Sequence, residues 1–189
     1  MCGPVKASDL AAAGELAIHY LRSDRSLRAV QASACIRTLA LIGGETALDA
    51  LGSYSGDWRQ TVHNALIRAW EHFDREEFAN RVMSRFEHLS ISRLDSFEGF
   101  QLFVSLETLS VVEFRGRDLS PLSKLLKLDR VAIYNAWWLD SIEPLAGHPS
   151  LSYLHIGKPY RKTLDISCLP TIPHLHYAFV NGDSVDLRA

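Results

Sequence analysis

Residues 106–133 have the sequence LETLSVVEFRGRDLSPLSKLLKLDRVAI. Two apolar spacings alternate in this segment. The first, L-x-x-L-x-L, places its last two apolar residues two apart, which predicts a β-strand with one buried face. The second repeats every three residues, which suits a short 3₁₀ or helical turn. The residues are Leu106, Leu109 and Val111 for the strand spacing and Leu119, Leu122 and Leu125 for the turn spacing.

The same two spacings recur from residue 86 to residue 180. The strand spacing begins at Phe86, Leu106, Leu128, Leu151 and Leu175, a period of about 20–24 residues that lies in the range of leucine-rich repeats. The turn spacing always begins nine residues before the next strand spacing, so only the loop between strand and turn varies in length. A constant buried ladder with one variable loop is typical of such repeats. We predict an α+β fold in which residues 86–189 form about five such repeats around a parallel sheet, the last repeat being incomplete.

Several positions depart from a plain leucine pattern. The Asn that usually ends the strand motif is replaced by Phe114, Ala136 and Pro159. His148 takes a position that is apolar in the other turns, and we expect it to be partly exposed. An Asp at or just before each turn is expected to accept hydrogen bonds from the free N–H groups of that turn. These residues are Asp95, Asp118, Asp140, Asp165 and Asp186.

Residues 1–85 show helical spacing instead. The predicted helices are Ser8–Arg22, Ser26–Ile42 with a stop at Gly43-Gly44, Glu45–Leu51, Asp57 to about Trp70, and one that Asp74 caps. Val30 and Ala34 recur as Val62 and Leu66, at a spacing that resembles HEAT-like helical repeats. An ordinary helical bundle is the alternative. In either case the helices are expected to cap the N-terminal end of the repeat sheet.

The composition limits the class of protein. The 189 residues are 47% hydrophobic and 22% charged with a net charge of −2, which lacks the basic excess of nucleic-acid-binding proteins. No apolar run has membrane-spanning length, and the N-terminus has no signal-peptide pattern. Cys2, Cys35 and Cys168 are far apart in the sequence, which favours reduced thiols and a cytoplasmic location.

No reaction centre is evident. The phosphate-binding motif G-x-x-x-x-G-K-[ST] is absent, since Gly157-Lys158 lacks both the earlier glycine and the following hydroxyl residue. His174 and His176 could share one face of a strand, but no carboxylate or thiol accompanies them as in a metal site. We therefore expect no catalytic residue, no cofactor and no metal. A small basic loop, either solvated or facing an acidic partner, contains Lys158, Arg161 and Lys162.

The residues between the buried ones on each strand are expected to face outward, on the concave side of the sheet. They are small or polar in the first two copies. Later copies carry aromatic, His and Arg side chains, which are frequent in the hot spots of protein interfaces. Partly packed surface aromatics are the alternative. The predicted partner-binding residues, with two tryptophans from the loop after the third strand, are Arg130, Tyr134, Trp137, Trp138, Tyr153, His155, Tyr177 and Phe179.

The C-terminal segment is expected to leave the sheet open. Residues 177–180 are predicted to be its last strand, because Val185, Asp186 and Leu187 match the start of another turn spacing. The unpaired edge of that strand would favour self-association, or the fifth copy would fold back irregularly.

The order of the two parts resembles a known family. HEAT-like helices, a W-x-x-F-D-x-E-E segment at residues 70–77 and short leucine-rich repeats are similar to the C-terminal sensor region of bacterial NACHT-type signalling ATPases, over roughly residues 26–187. In that family the repeats recognise a trigger and the ATPase domain oligomerises. The resemblance implies a non-enzymatic recognition module of a bacterial signalling or defence system, with a protein ligand or an upstream ATPase domain as partner. The alternatives are a scaffold and a HEAT-repeat lyase-like or enzyme-accessory protein, although Cys35 is expected to be too buried for a lyase.

Overall fold

The computed structural model describes residues 7–23, 28–157, 164–180 and 183–186. Its contacts divide the chain into two compact units, Met1–Ser84 and Arg85–Ala189. The first unit is helical and the second contains the sheet. Among the described residues, no helix combines the length and the apolar character needed to cross a membrane.

The first unit is built from helices that pack around α2. The α-helices are α1 (Ala7–Ser23), α2 (Ala29–Ile42), α3 (Gly44–Gly52), α4 (Gln60–Ala69) and α5 (Arg75–Phe78). A 3₁₀ turn, Trp70–His72, follows α4, and a π-helical turn, Ala79–Met83, follows α5. α2 packs against α1, α3 and α4.

Local chemistry explains where these helices begin and end. Gly43 ends α2 with a φ of 70°, a conformation that favours glycine. Asp74 caps α5 as predicted, because its carboxylate accepts a hydrogen bond of 2.9 Å from the N–H of Glu77. The predicted cap at Asp57 is wrong, since α4 begins after Arg59. The Asp57 carboxylate is already engaged by the backbone N–H and the guanidinium of Arg59.

The buried positions of α2 and α4 do not follow the predicted repeat spacing. Val30 is 73% exposed whereas Val62 is buried, so the predicted spacing does not pair equivalent positions. The buried positions of α2 and α4 correspond in a shifted register instead. The corresponding pairs are Ser33 and His63, Ile36 and Leu66, and Leu39 and Ala69. Which residues are buried depends on how α2 and α4 pack against each other, and the sequence alone does not show that packing.

The second unit contains one six-stranded sheet in sequential order. Its strands are β1 (His88–Leu94), β2 (Thr108–Phe114), β3 (Arg130–Ala136), β4 (Tyr153–Ile156), β5 (Tyr177–Val180) and β6 (Asp183–Asp186). β1 to β5 are parallel, and the register pairs His88 with Thr108, then Arg130, Tyr153 and Tyr177. Each of these partners stands two positions after the opener of its own repeat, so the register follows the predicted period. The predicted α+β class and parallel sheet are therefore confirmed.

The core of this unit lies between the strands and a row of 3₁₀ turns. Those turns are Phe100–Leu102, Ser120–Lys124, Glu143–Leu145 and Leu169–Thr171. Phe114, which stands at the usual Asn position, is fully buried and its ring centroid lies 4.5 Å from that of Phe97. Phe97 in turn contacts Phe100, at 5.1 Å. Aromatic rings in edge and tilted contact thus fill the core at the position where the consensus repeat has an Asn.

The turns are capped from the position directly before their first apolar residue. Asp118 and Asp165 accept hydrogen bonds from the N–H two residues later, at 2.8 and 3.0 Å, as predicted. In the other two turns the cap is Ser96 or Ser141. Asp95 and Asp140 stand one residue too early to cap, and Asp186 lies in β6.

His148 is buried rather than partly exposed. Only 2% of its surface is accessible, and its Nδ1 accepts a hydrogen bond of 3.4 Å from the N–H of Ser150. Burial lowers the pKa of the imidazole, although the carbonyls of Leu122 and Leu125 act in the opposite direction. The position in the repeat therefore decides burial even where the residue is polar.

The predicted open edge of β5 is also wrong. β6 turns back and pairs antiparallel with β5, from Tyr177 opposite Asp186 to Val180 opposite Asp183. The backbone groups of β5 thus have partners on both sides, which removes the reason given for self-association through that strand. Between the two strands the sequence is Asn181-Gly182, the pair that most favours a two-residue hairpin connection.

Candidate functional site

The open face of the sheet, defined as the side away from the core, carries one row of side chains for each outward strand position. Parallel pairing places Arg130, Tyr153 and Tyr177 in one row, on β3, β4 and β5. The next row contains His155 and Phe179. Partner positions on adjacent strands are about 5 Å apart, a distance at which planar side chains can stack.

The first row forms a continuous stack. The guanidinium carbon of Arg130 lies 4.3 Å from the centre of the Tyr153 ring. The Tyr153 and Tyr177 rings are nearly parallel, with an angle of 8° and a centroid distance of 5.2 Å. This geometry combines a cation–π contact with an aromatic pair.

The second stack runs diagonally from β3. The rings of Tyr134 and His155 are 4.9 Å apart at 50°, and those of His155 and Phe179 are 4.6 Å apart at 13°. Burial between these rings lowers the pKa of His155, which favours the neutral imidazole. Six of the eight predicted partner-binding residues are therefore brought together. We call them the aromatic stack: Arg130, Tyr134, Tyr153, His155, Tyr177 and Phe179.

The aromatic stack presents ring edges and polar groups to solvent. Tyr134 is 49% exposed, and Arg130 is also exposed. Because the ring faces contact one another, the edges, the hydroxyl groups and the guanidinium remain to contact a partner. Arg130 forms no ion pair within the part of the chain that the structure describes. Its charge is thus available for a carboxylate.

The remaining open face is different in chemistry. Toward β1 its rows contain Ser90 and Ser110, which offer little apolar contact area. Near the ends of the first strands, Glu113 pairs with Arg93 at 3.2 Å and with Arg115 at 2.6 Å. The hydrogen bond from Arg115 lowers the pKa of Glu113. Both guanidinium groups are thus ion-paired to one shared carboxylate, whereas Arg130 has no such pair among the described residues, so the aromatic stack is the distinctive part of the face.

The two predicted tryptophans lie in the loop that follows β3, outside both stacks. Trp137 is half-buried, and its backbone N–H donates to the carbonyl of Phe114 at 3.0 Å. Trp138 is about half exposed. The structure therefore separates them from the six stacked residues without assigning them a role.

Sequence spacing missed one exposed aromatic residue, Trp58. Its side chain is 84% exposed in the loop before α4, where no apolar period calls attention to it. The neighbouring residues Asp57 and Arg59 form an ion pair, and His63 hydrogen-bonds the carbonyl of Asp57. The loop that carries Trp58 is thus fixed on both sides. The only feature of the sequence that marks Trp58 is its place between the oppositely charged residues Asp57 and Arg59.

The thiols and imidazoles do not form a reaction centre in the described residues. Cys35 is half-buried rather than buried, and burial raises the pKa of its thiol and of the Cys168 thiol. Both are therefore poor nucleophiles near neutral pH. His174 and His176 are exposed in the turn before β5 rather than on a strand. Across the described ranges, no three metal-ligating side chains form a group, and the basic loop with Lys158, Arg161 and Lys162 lies outside those ranges.

No family model matches the sequence, and no curated protein is similar to it. Among solved structures, the chain is similar to an internalin from Listeria monocytogenes, with a TM-score of 0.48 and 21% identity over 58% of this chain and 31% of that one. It is also similar to an internalin C2 from the same organism, with a TM-score of 0.48 and 20% identity over 71% of this chain and 54% of that one. The chain spans less than two thirds of the length of either protein.

Proposed function

We propose that this protein is a non-enzymatic recognition module that binds a protein ligand through the aromatic stack. The observation that carries this proposal is the packing of six outward side chains from three adjacent strands into two neighbouring groups of three. Tyr and Arg are the residue types most often found at the energetic centre of protein interfaces. Here they are concentrated at one end of an otherwise small and polar face.

Stacking also prepares these side chains for binding. Ordering a free side chain at an interface costs about 0.5–1.5 kcal/mol. Tyr153 is held between Arg130 and Tyr177, so much of this cost is met when the protein folds. A partner therefore meets a rigid amphipathic surface with one uncompensated positive charge.

The favoured ligand is a protein segment with apolar groups for the ring edges and a carboxylate for Arg130. Sheet faces of this kind offer a flat surface rather than a deep pocket, which suits a protein better than a small molecule. The same stack could instead serve only to stabilise the sheet, since each exposed pair contributes about 0.5–1.5 kcal/mol to stability. An experiment that separates affinity from stability decides between these roles.

We also propose that the module belongs to a bacterial signalling or defence system and acts in the cytoplasm. The support is the order of a helical unit followed by parallel repeats, which resembles the sensor region of NACHT-type ATPases. In this setting the helices are HEAT-like repeats, and an ATPase domain is the second candidate partner. Co-purification from the source cells, followed by identification of an ATPase or another signalling protein, tests this context.

The ligand role is tested by replacing two stacked rings. The double variant Tyr153→Ala, Tyr177→Ala should weaken the binding of a co-purified partner by about 2 kcal/mol or more, which raises Kd roughly 30-fold. Val112→Ala, on the open face of β2, is the matched control and should change Kd less than about twofold. Calorimetry gives the affinities, and thermal melts show whether each variant is folded. A folded double variant with wild-type affinity would refute the aromatic stack as the binding surface.

A further inference from the structure

A groove in the first unit runs between α2 and α4. α2 contributes Arg37, Ala40 and Leu41, which share one helix face because they are three and four residues apart. The other wall consists of Arg68 and Ala69 of α4 and His72 of the following turn. The groove encloses about 230 Å³. It lies in a different unit from the aromatic stack and is independent of the function proposed for that stack.

The groove is apolar inside. Ala40 and Ala69 are buried at its base, where two small side chains leave space between the packed helices. Leu41 is 70% exposed beside them. Almost all of the exposed lining is apolar, which agrees with arginine side chains that pack their aliphatic stems on an apolar surface and keep the guanidinium in water.

The ionisable side chains that line the groove are all basic: Arg37, Arg68 and His72. Among the described residues no acidic side chain lines the groove, and neither Arg37 nor Arg68 forms an ion pair there. Other arginines of the same unit are paired: Arg81, for example, contacts the carboxylates of Glu45 and Glu77. The unpaired charges at the groove therefore complement an acidic ligand.

The size of the groove decides what kind of ligand fits. Pockets for small molecules usually enclose about 300–1,000 Å³. A volume of about 230 Å³ is smaller and suits one large apolar side chain. We propose that this groove binds a peptide segment of a protein partner in which a Leu or Phe anchor is flanked by carboxylates. The anchor fills the space between α2 and α4, and the carboxylates pair with Arg37 and Arg68.

The proposal is tested by titrating the ¹⁵N-labelled full chain with the synthetic peptide acetyl-Glu-Glu-Leu-Phe-Glu-Glu-amide. Amide signals of residues 37–41 and 68–72 should shift, with a Kd of about 1 mM or below, as for weak peptide contacts. One control peptide has Lys in place of Glu, and the other has Ala in place of Leu and Phe. Each should bind at least about fivefold more weakly. Shifts elsewhere, no shifts, or equal binding of the Lys peptide would overturn the proposal.

Variants test the charges at the groove separately. The double variant Arg37→Gln, Arg68→Gln should bind the acidic peptide about tenfold more weakly. It should also lose most of the dependence of Kd on salt concentration. Lys124→Gln with Lys127→Gln removes the same charge from exposed positions of the other unit and should change Kd less than about twofold. If the arginine double variant is unfolded, the wild-type protein provides the test through the salt dependence of its Kd for the acidic peptide. A Kd that is unchanged between about 50 and 500 mM NaCl would contradict the proposed ion pairs.

Discussion

Replacement of His148 by Leu should change how stability depends on pH. The imidazole occupies a core position of its repeat, equivalent to Leu125 and Ile172, which are buried in neighbouring repeats. His148→Leu therefore gives this repeat the same chemistry as its neighbours. His148 is 2% exposed and burial lowers the pKa of its imidazole, so folding favours the neutral form of the ring.

The sign and size of the effect follow from proton linkage. A histidine in the unfolded chain has a pKa of about 6.5, and the buried ring of His148 titrates lower. Below about pH 6.5 the unfolded state binds a proton that the folded state does not, so stability falls as the pH falls. The loss approaches about 1.4 kcal/mol per pH unit until the pH reaches the folded pKa.

The measurement is the free energy of unfolding in urea between about pH 7.5 and 5.5. Carboxyl groups titrate mainly below this range, at about 3.9–4.3 in the unfolded chain. His155, whose pKa is also lowered, contributes equally to wild type and variant. The wild type should lose more stability than His148→Leu over this range. Parallel curves for the two proteins would show that the ring is accessible or protonated in the folded state, and would refute the reasoning.

Three further outcomes are expected. Gly157→Ala should lower the free energy of unfolding in urea by about 2 kcal/mol or more, because a Cβ there would lie 2.2 Å from the carbonyl oxygen of Tyr134. An unchanged free energy of unfolding would contradict this close approach. Asp118→Ala should cost about 1 kcal/mol through loss of its cap, whereas Asp95→Ala, one position too early to cap, should be nearly neutral. The amides of β5 that pair with β6 should exchange slowly with solvent, and fast exchange would contradict the hairpin.

The parallel sheet was predictable because each repeat buries the same three strand positions. Openers that recur with a nearly constant period can stack only in the register that the structure shows, so the spacing determines both strand and neighbour. The aromatic stack follows from that register for the row of Arg130, Tyr153 and Tyr177. The diagonal contact between Tyr134 and His155 depends on side-chain rotamers, which spacing does not define.

The incorrect predictions come from tertiary pairing that outweighs local preference. Val185 and Asp186 resemble the start of another turn, but pairing with β5 makes them part of a strand. His148 is polar, yet the layers packed above and below it decide its burial. The groove between α2 and α4 depends on how two helices meet, so neither helix sequence shows it alone.

The antiparallel direction of β6 determines how a chain of this kind could lengthen during evolution. A repeat added beyond β6 would meet a strand of the opposite direction, so a further parallel repeat does not fit at that edge of the sheet, whereas duplication between parallel strands does. Insertion between β3 and β4 would separate Arg130 from Tyr153 and divide the aromatic stack. Insertion of one further repeat between β1 and β2 would extend the small polar part and leave the stacked residues adjacent. Longer relatives should therefore differ in repeat number near the first strands and keep the last three in place.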